Sequence, residues 1–402
     1  MHGGGAAIVQ KTVISSKEKL AVTVWLCSLV ALMLPFMSIR ETRVSADITY
    51  SLIAIGPLSS ILAFCPMLLL SSVITERADR SDRLITLAGF FGLLAPVVLL
   101  GVRAPAMMNG SGPFARYSGA SGFSVWLLCG FIILLMKERR SRADYVGIGI
   151  CIAALGFFFL DGSFSQLGLV QEAKNFGTRL PREIVTHMRI TGISIGISMI
   201  IGLPAALLSY QNMHVRKLIF PVLNILQTIP SIALFGLLIA PLAAIGRAFP
   251  QLRSWGIQGI GNTPAIIALS MYAIYPLIRY SYTAFSEIDA AVIQAAEGIG
   301  MSRRQLWRMV RIPLAAAGVL HGIRVALVQT IGNATLAKLI GGGGLGVFVF
   351  EGLGQASVDM VLLGMILIIL LTAITDALAQ AGIFLLTPRA LRHTDNKTEP
   401  MG

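Results

Sequence analysis

Two charges interrupt long apolar stretches late in the chain: Arg324 within AAAGVLHGIRVALVQTIGNA and Asp376 within LLGMILIILLTAITDALAQAG. An isolated charge is costly in apolar surroundings, so the chemistry open to them is an ion pair or a shared polar cavity. At helical rise, Arg324 lies about 12 Å from the start of its stretch and Asp376 about 15 Å from the end of its own, depths that permit pairing. Pairing alone accounts for both charges, so a structural role precedes a substrate-binding one. Tyr272 and Tyr275 stand three apart in another apolar stretch. They offer cation–π contact to a quaternary ammonium group, with plain helix packing as the alternative. Nothing points to an enzyme. His187, His214 and His321 are scattered, no nucleophile has a base at a telling distance, and Cys27, Cys65, Cys129 and Cys151 lack metal-ligand spacing. Those cysteines read as small buried hydrophobes, with no disulfide, no metal and no catalytic residue expected.

A second constellation is basic and rich in small residues: QAAEGIGMSRRQLWRMVRIP, residues 294–313. Ser286 with Asp289, and Ser302 with Gln305, resemble capping boxes. They predict a helix from about 287 to 299, a break at Gly300, and a second helix from 303 that Pro313 stops. On the first helix Ala296 and Gly300 are four apart and share a face beside Ala295, which would let a partner approach the backbone closely. Arg304, Arg308 and Arg311 are predicted on one face of the second helix. Flanked by apolar stretches, this hairpin should protrude from a membrane as a docking element.

The elements that must position these residues are membrane helices. The 402-residue chain is 55% hydrophobic and 13% charged, whereas a soluble domain carries about a quarter charged residues. The predicted class is an all-α polytopic membrane protein with about ten transmembrane helices, at 20–38, 50–72, 84–102, 121–136, 145–160, 188–208, 218–245, 260–282, 316–338 and 358–386. The first reads as a retained anchor, not a cleaved signal. The formal charge of +13 does not imply nucleic acid. With the N-terminus inside, Lys and Arg favour the inside loops by about two to one, so both termini and the hairpin are expected to be cytoplasmic. The expected organisation is an N-terminal membrane region, 1–160, with about five spans, an external connecting segment, 161–187, a five-helix region, 188–386, containing the hairpin 287–313, and a cytoplasmic tail, 387–402. Pro204, Pro221, Pro230, Pro241, Pro264 and Pro276 cluster in or beside the sixth to eighth spans. Proline frees backbone carbonyls, which is tolerated where protein or a water-filled cavity satisfies them, and this favours a transport core over an inert anchor.

The hairpin resembles the EAA-x3-G-x9-I-x-L-P pattern of the membrane subunits of ABC importers. The resemblance places Gln294, Ala295 and Ala296 at EAA, Gly300 at the glycine, Val310 and Ile312 at the aliphatic positions and Pro313 at the proline. Gln294 departs from the family's acidic residue, which leaves the docking geometry but removes a charge contact. About residues 185–386 share the resemblance. Gln227-Thr-Ile-Pro-Ser-Ile-Ala233 and the Gly341–Gly346 run look like the osmoprotectant branch, and the five preceding spans look like an enlarged form of it. The resemblance implies a permease subunit of an ATP-driven importer in the bacterial inner membrane, for glycine betaine, choline or a related osmoprotectant. It further implies cytoplasmic ABC ATPase subunits docked on the 294–313 loop, an external substrate-binding protein and a second permease copy. No cofactor would be bound directly, ATP being used by the partner. Gly341–Gly346 is not a phosphate-binding loop, because no Gly-Lys-Ser/Thr follows, and reads as a flexible external turn able to gate a pathway, or as a plain loop. The rival readings are a stand-alone secondary transporter or channel, for which Asp376 is nearly the sole intramembrane carboxylate, and an ABC permease for amino acids.

Overall fold

The computed structural model describes residues 16–42, 45–56, 78–108, 112, 114–135, 142–254 and 256–386. The backbone forms two compact units, residues 1–175 and 176–402. Among the described residues five helices are long and apolar enough to cross a membrane: Ile85–Met107, Arg179–Gln211, Ser231–Ala248, Arg303–Ile340 and Val358–Leu385. Shorter apolar helices cover Val22–Met33, Ser121–Leu135 and Asp144–Leu160. The helical class stands, but the ten-span count does not follow from these lengths.

In the first unit α1 (Ser16–Met33) leads into β1 (Pro35–Arg40), followed by β2 (Ile48–Ser51). The span expected at 20–38 therefore ends early. Proline lacks the amide a helix needs and its ring clashes with the carbonyl four residues back, so Pro35 closes α1. The chain then runs as the central strand of an antiparallel sheet of order β2-β1-β3, which the sequence reading did not foresee; β3 is Arg116–Gly119. Ile39 faces Ile48 on one side and Tyr117 on the other. Of the span expected at 50–72, Ser51 caps a single turn, Leu52–Ile55, and residues 57–72, Cys65 among them, lie outside the described residues. The remaining helices are α2 (Ala78–Met107), α3 (Ser121–Leu135), α4 (Arg142–Leu160) and α5 (Gly168–Phe176). α2 and α3 meet at Gly92 and Gly130, where an added Cβ on Gly130 would sit 2.7 Å from the Gly92 backbone, the close approach that small residues permit between membrane helices. Phe36 and Tyr117 are fully buried beside Trp126, Phe158 and Phe164. The Tyr117 hydroxyl donates to the Ser163 carbonyl at 2.7 Å, and Arg116 donates to Glu172 at 2.8 Å in a buried ion pair. Cys129 is buried as expected, but Cys27 is exposed.

The second unit is built on α6 (Arg179–Gln211), α9 (Asn262–Ser286) and α11 (Ile312–Ala334). α6 begins at Arg179, inside the segment expected to be an external connection. Hydroxyls bind α6 to α9: Ser194 donates to the Ile266 carbonyl at 3.3 Å, Ser198 to Ser270 at 3.0 Å, and Ser270 back to Ser194 at 3.2 Å. Small residues set the α9–α11 spacing. A Cβ on Gly318 would fall 2.6 Å from Ala284, and one on Gly322 would fall 2.8 Å from Tyr280. The span expected at 218–245 is two helices, α7 (Met213–Thr228) and α8 (Ser231–Ala248), broken at Ile229-Pro230. The break is the Gln227–Ala233 motif. Pro230 cannot continue α7, and the residue before a proline is pushed to extended backbone, which Ile229 adopts at ψ 123°. α13 (Val358–Leu386) packs on α11, preceded by α12 (Gly346–Gly354).

Candidate functional site

The hairpin after α9 is built by local caps. Ser286 still belongs to α9, so it caps nothing. Asp289 is the N-cap of α10 (Ala290–Gly298), its carboxylate accepting the Ala291 amide at 2.8 Å. At the other end Gly300 holds φ +83°. Its amide reaches Glu297 O at 2.9 Å and the Met301 amide reaches Ala296 O at 3.2 Å. These are the paired bonds of a Schellman C-cap, which wants glycine in the left-handed region. Gly300 therefore lies beyond the helix end and, contrary to the expectation from the sequence, shares no helical face with Ala296. Ser302 and Gln305 form a full capping box that starts the second helix.

That helix does not stop at Pro313. Residues Arg303–Gln305 are α-helical, Leu306–Arg311 form a π-helical turn, and α11 continues to Ala334 with Pro313 in its first turn. In the wider turn the Ile312 amide bonds Trp307 O, five residues back. The shifted register relieves Pro313 of the carbonyl that an interior proline would strike.

The two arms close on Ala296 and Leu306, which are buried, while Gln294 and Ala295 are exposed. Val310 and Pro313 are half-buried. Four large apolar side chains on or beside the hairpin, Val292, Ile299, Met309 and Ile312, are exposed, Ile299 at 76%. Arg304 and Arg308 are exposed as well. Arg311 turns back, its guanidinium 4.9 Å from the Trp307 ring centre and 5.7 Å from that of Tyr210.

Arg324 and Asp376 meet in a two-pronged ion pair, with Arg324 Nη2 donating to Asp376 Oδ2 at 2.9 Å and Nε to Oδ1. Gln380 Nε2 donates to the same Oδ2 at 2.9 Å. Both carboxylate oxygens thus accept from protein donors, and the charge is paired. Tyr272 is 5% exposed and donates its hydroxyl to the Ile229 carbonyl at the α7–α8 break, and Gln227 donates to the Tyr272 carbonyl at 3.3 Å. Its ring is committed to holding that break and is not free to face a pathway. Tyr275 is half-buried against the cluster of Ala206, Leu223 and Ile278.

Sequence reasoning missed how the glycine run is held. Gly341 and Gly344 have positive φ, but the loop is tied. Asn262 accepts the Gly343 amide at 2.9 Å, Glu183 accepts the Gly344 amide at 2.7 Å, and His187 Nδ1 accepts that of Leu345 at 3.2 Å. A Cβ on Gly346 would sit 1.9 Å from Thr335 O. Nearby, Glu351 bridges Arg179 at 2.8 Å and Lys338 at 2.9 Å. Burial alone would raise the Glu351 carboxyl, yet hydrogen bonds from Arg179 and Lys338 hold it below its ordinary value. Spacing gave no signal here, because the partners lie up to 172 residues apart. No cluster of three or more metal-ligating side chains occurs among the described residues.

Residues 198–389 match the family described as binding-protein-dependent transport system inner membrane component, and residues 17–170 match the N-terminal domain of the ABC transporter permease YehY. The osmoprotectant import permease protein OsmW of Salmonella typhimurium is 34% identical over 206 residues, covering 51% of this chain and 91% of the relative. The choline transport system permease protein OpuBB of Bacillus subtilis is 29% identical over 56% of this chain and 96% of its own length. The carnitine transport permease protein OpuCB of Listeria monocytogenes is 32% identical over 51% and 87%. Helical fold, hairpin and sequence agree: the chain belongs to the binding-protein-dependent transport system inner membrane components, the multi-pass permease subunits of ABC importers, and carries a YehY-type N-terminal domain.

Proposed function

We propose that this permease moves glycine betaine, choline or a related osmoprotectant, driven by ATP hydrolysis in separate cytoplasmic subunits that dock on the hairpin. The observation that carries the coupling is the hairpin itself. Its backbone is fixed by a Schellman cap and a capping box, yet Val292, Ile299 and Met309 project exposed from it. Apolar side chains presented on a rigid, basic loop suit a protein cleft. Gln294, Ala295 and Gly300 would face that cleft, with Ala296 buried beneath them where the arms close, and Val310, Ile312 and Pro313 setting the exit into α11. The substrate class rests on the relatives, which are permeases for osmoprotectants, choline and carnitine.

An external binding protein would deliver the solute and a second copy of the chain would complete the pathway, with both termini and the hairpin cytoplasmic. The Arg324–Asp376 pair would lock α11 to α13 instead of binding solute, since the two charges pair with each other and both carboxylate oxygens accept from protein donors. Tyr272 would act by holding the α7–α8 break, leaving Tyr275 as the tyrosine nearer a pathway. The test is ATPase activity of the reconstituted complex with its binding protein. Glycine betaine or choline should stimulate hydrolysis; stimulation by amino acids alone would replace the substrate assignment.

A further inference from the structure

The second unit has an open-sided groove of about 640 Å³ at its hairpin end, between α6, α9 and the start of α11. Leu203, Leu207, Phe285, Trp307, Ala316 and Leu320 line it, and Ser281 is the sole hydroxyl in the lining. In a membrane protein such a groove meets hydrocarbon, and its size lies within the roughly 300–1,000 Å³ typical of ligand sites. One feature departs from a plain lipid-facing surface. Trp307, in the groove wall, carries the Arg311 guanidinium stacked 4.9 Å from its ring centre, with Tyr210 on a second side at 5.7 Å. Arg311 Nε is buried and has no hydrogen-bond partner, and no carboxylate pairs with this residue among the described residues. A cation held by two aromatic rings beside an apolar slot is matched to a ligand with an anionic head and a hydrocarbon tail.

We propose that this groove binds one anionic phospholipid, its acyl chain between α6, α9 and α11 and its phosphate on Arg311. With the hairpin cytoplasmic, the site lies at the inner leaflet, where basic pockets between membrane helices hold anionic head groups. The aromatic rings hold the guanidinium against Trp307 of the groove wall and leave its outer N–H groups for phosphate oxygens.

Trp307 is a built-in reporter. The full chain would be reconstituted in bilayers where brominated phosphatidylglycerol or brominated phosphatidylcholine replaces its unlabelled counterpart stepwise. The Trp307 signal is the difference between wild type and Trp307→Phe. It should be quenched half-maximally at about fivefold lower mole fraction of the brominated phosphatidylglycerol, the preference a single surface cation confers. Arg311→Gln should abolish the preference and Arg311→Lys keep most of it. Ala316→Phe, which fills the groove, should reduce quenching by both lipids. Equal quenching by both lipids in wild type would mean bulk contact only and would overturn the proposal. No quenching of Trp307 would mean that protein, such as a second copy, covers the groove, and would overturn it too. The wild-type comparison needs only Trp307→Phe to fold, and stands whether or not the Arg311 and Ala316 variants do.

Discussion

At Gly300 the backbone holds φ +83°, and a Cβ there would meet nothing within 4 Å of the chain itself. A left-handed conformation costs an L residue about 1–2 kcal/mol, so two demands can be separated. If the turn alone matters, Gly300→Asn, which tolerates this region, should keep most ATPase docking while Gly300→Val loses it. If a partner packs on the glycine, both should fail alike. Co-purification of the ATPase with the membrane-inserted variants decides between them. The ion pair makes a second residue-scale prediction. Removing either Arg324 or Asp376 strands a charge in apolar surroundings, so each single replacement by a neutral residue should lower the detergent melting temperature. Replacing both with leucine should recover much of the loss. A double variant as unstable as the sum of the singles would contradict a purely structural pair.

Among the elements, the glycine run is an anchor where the sequence suggested a free turn. Gly346→Ala would drive a Cβ to 1.9 Å from Thr335 O. A clash with backbone cannot be relieved by a rotamer change, so this variant should lose about 1–3 kcal/mol or more of stability, read as a lower melting temperature. Wild-type melting would refute the close packing. Glu351 gives a pH dependence. Its carboxyl is held below its ordinary value in the folded chain, so its contribution is complete above the unfolded value, about 4.3. It is lost as pH falls through the lower folded value. Glu351→Gln should therefore destabilise at neutral pH and make little difference at strongly acid pH. Helix positions were legible where an apolar run was long, as in α9 and α11, and where a side-chain cap marked a start, as in the Ser302–Gln305 box. Strand β1 was not, because Phe36, Met37 and Ile39 are apolar enough to extend α1 and only pairing with β2 and β3 makes them a strand. Pro230 carried the true break in a run that hydrophobicity alone joined. Pro313 misled in the opposite sense, since a π turn ahead of it absorbs the proline. Contacts such as His187 with Leu345 depend on the tertiary fold and leave no local pattern.

For the whole molecule, the curated relatives match about half of this chain yet are covered over most of their own length. The second unit carries the family match at residues 198–389, and the first, with its own aromatic core around Phe36 and Tyr117, carries the YehY-type match at residues 17–170. The proposed coupling has a separate ATPase drive transport through the hairpin. Proteoliposomes containing the chain, its ATPase subunit and enclosed ATP, with binding protein outside, should accumulate labelled glycine betaine or choline. Omitting the ATPase should abolish accumulation, and so should Gly300→Val. Uptake by the chain alone, without ATPase or ATP, would contradict the account.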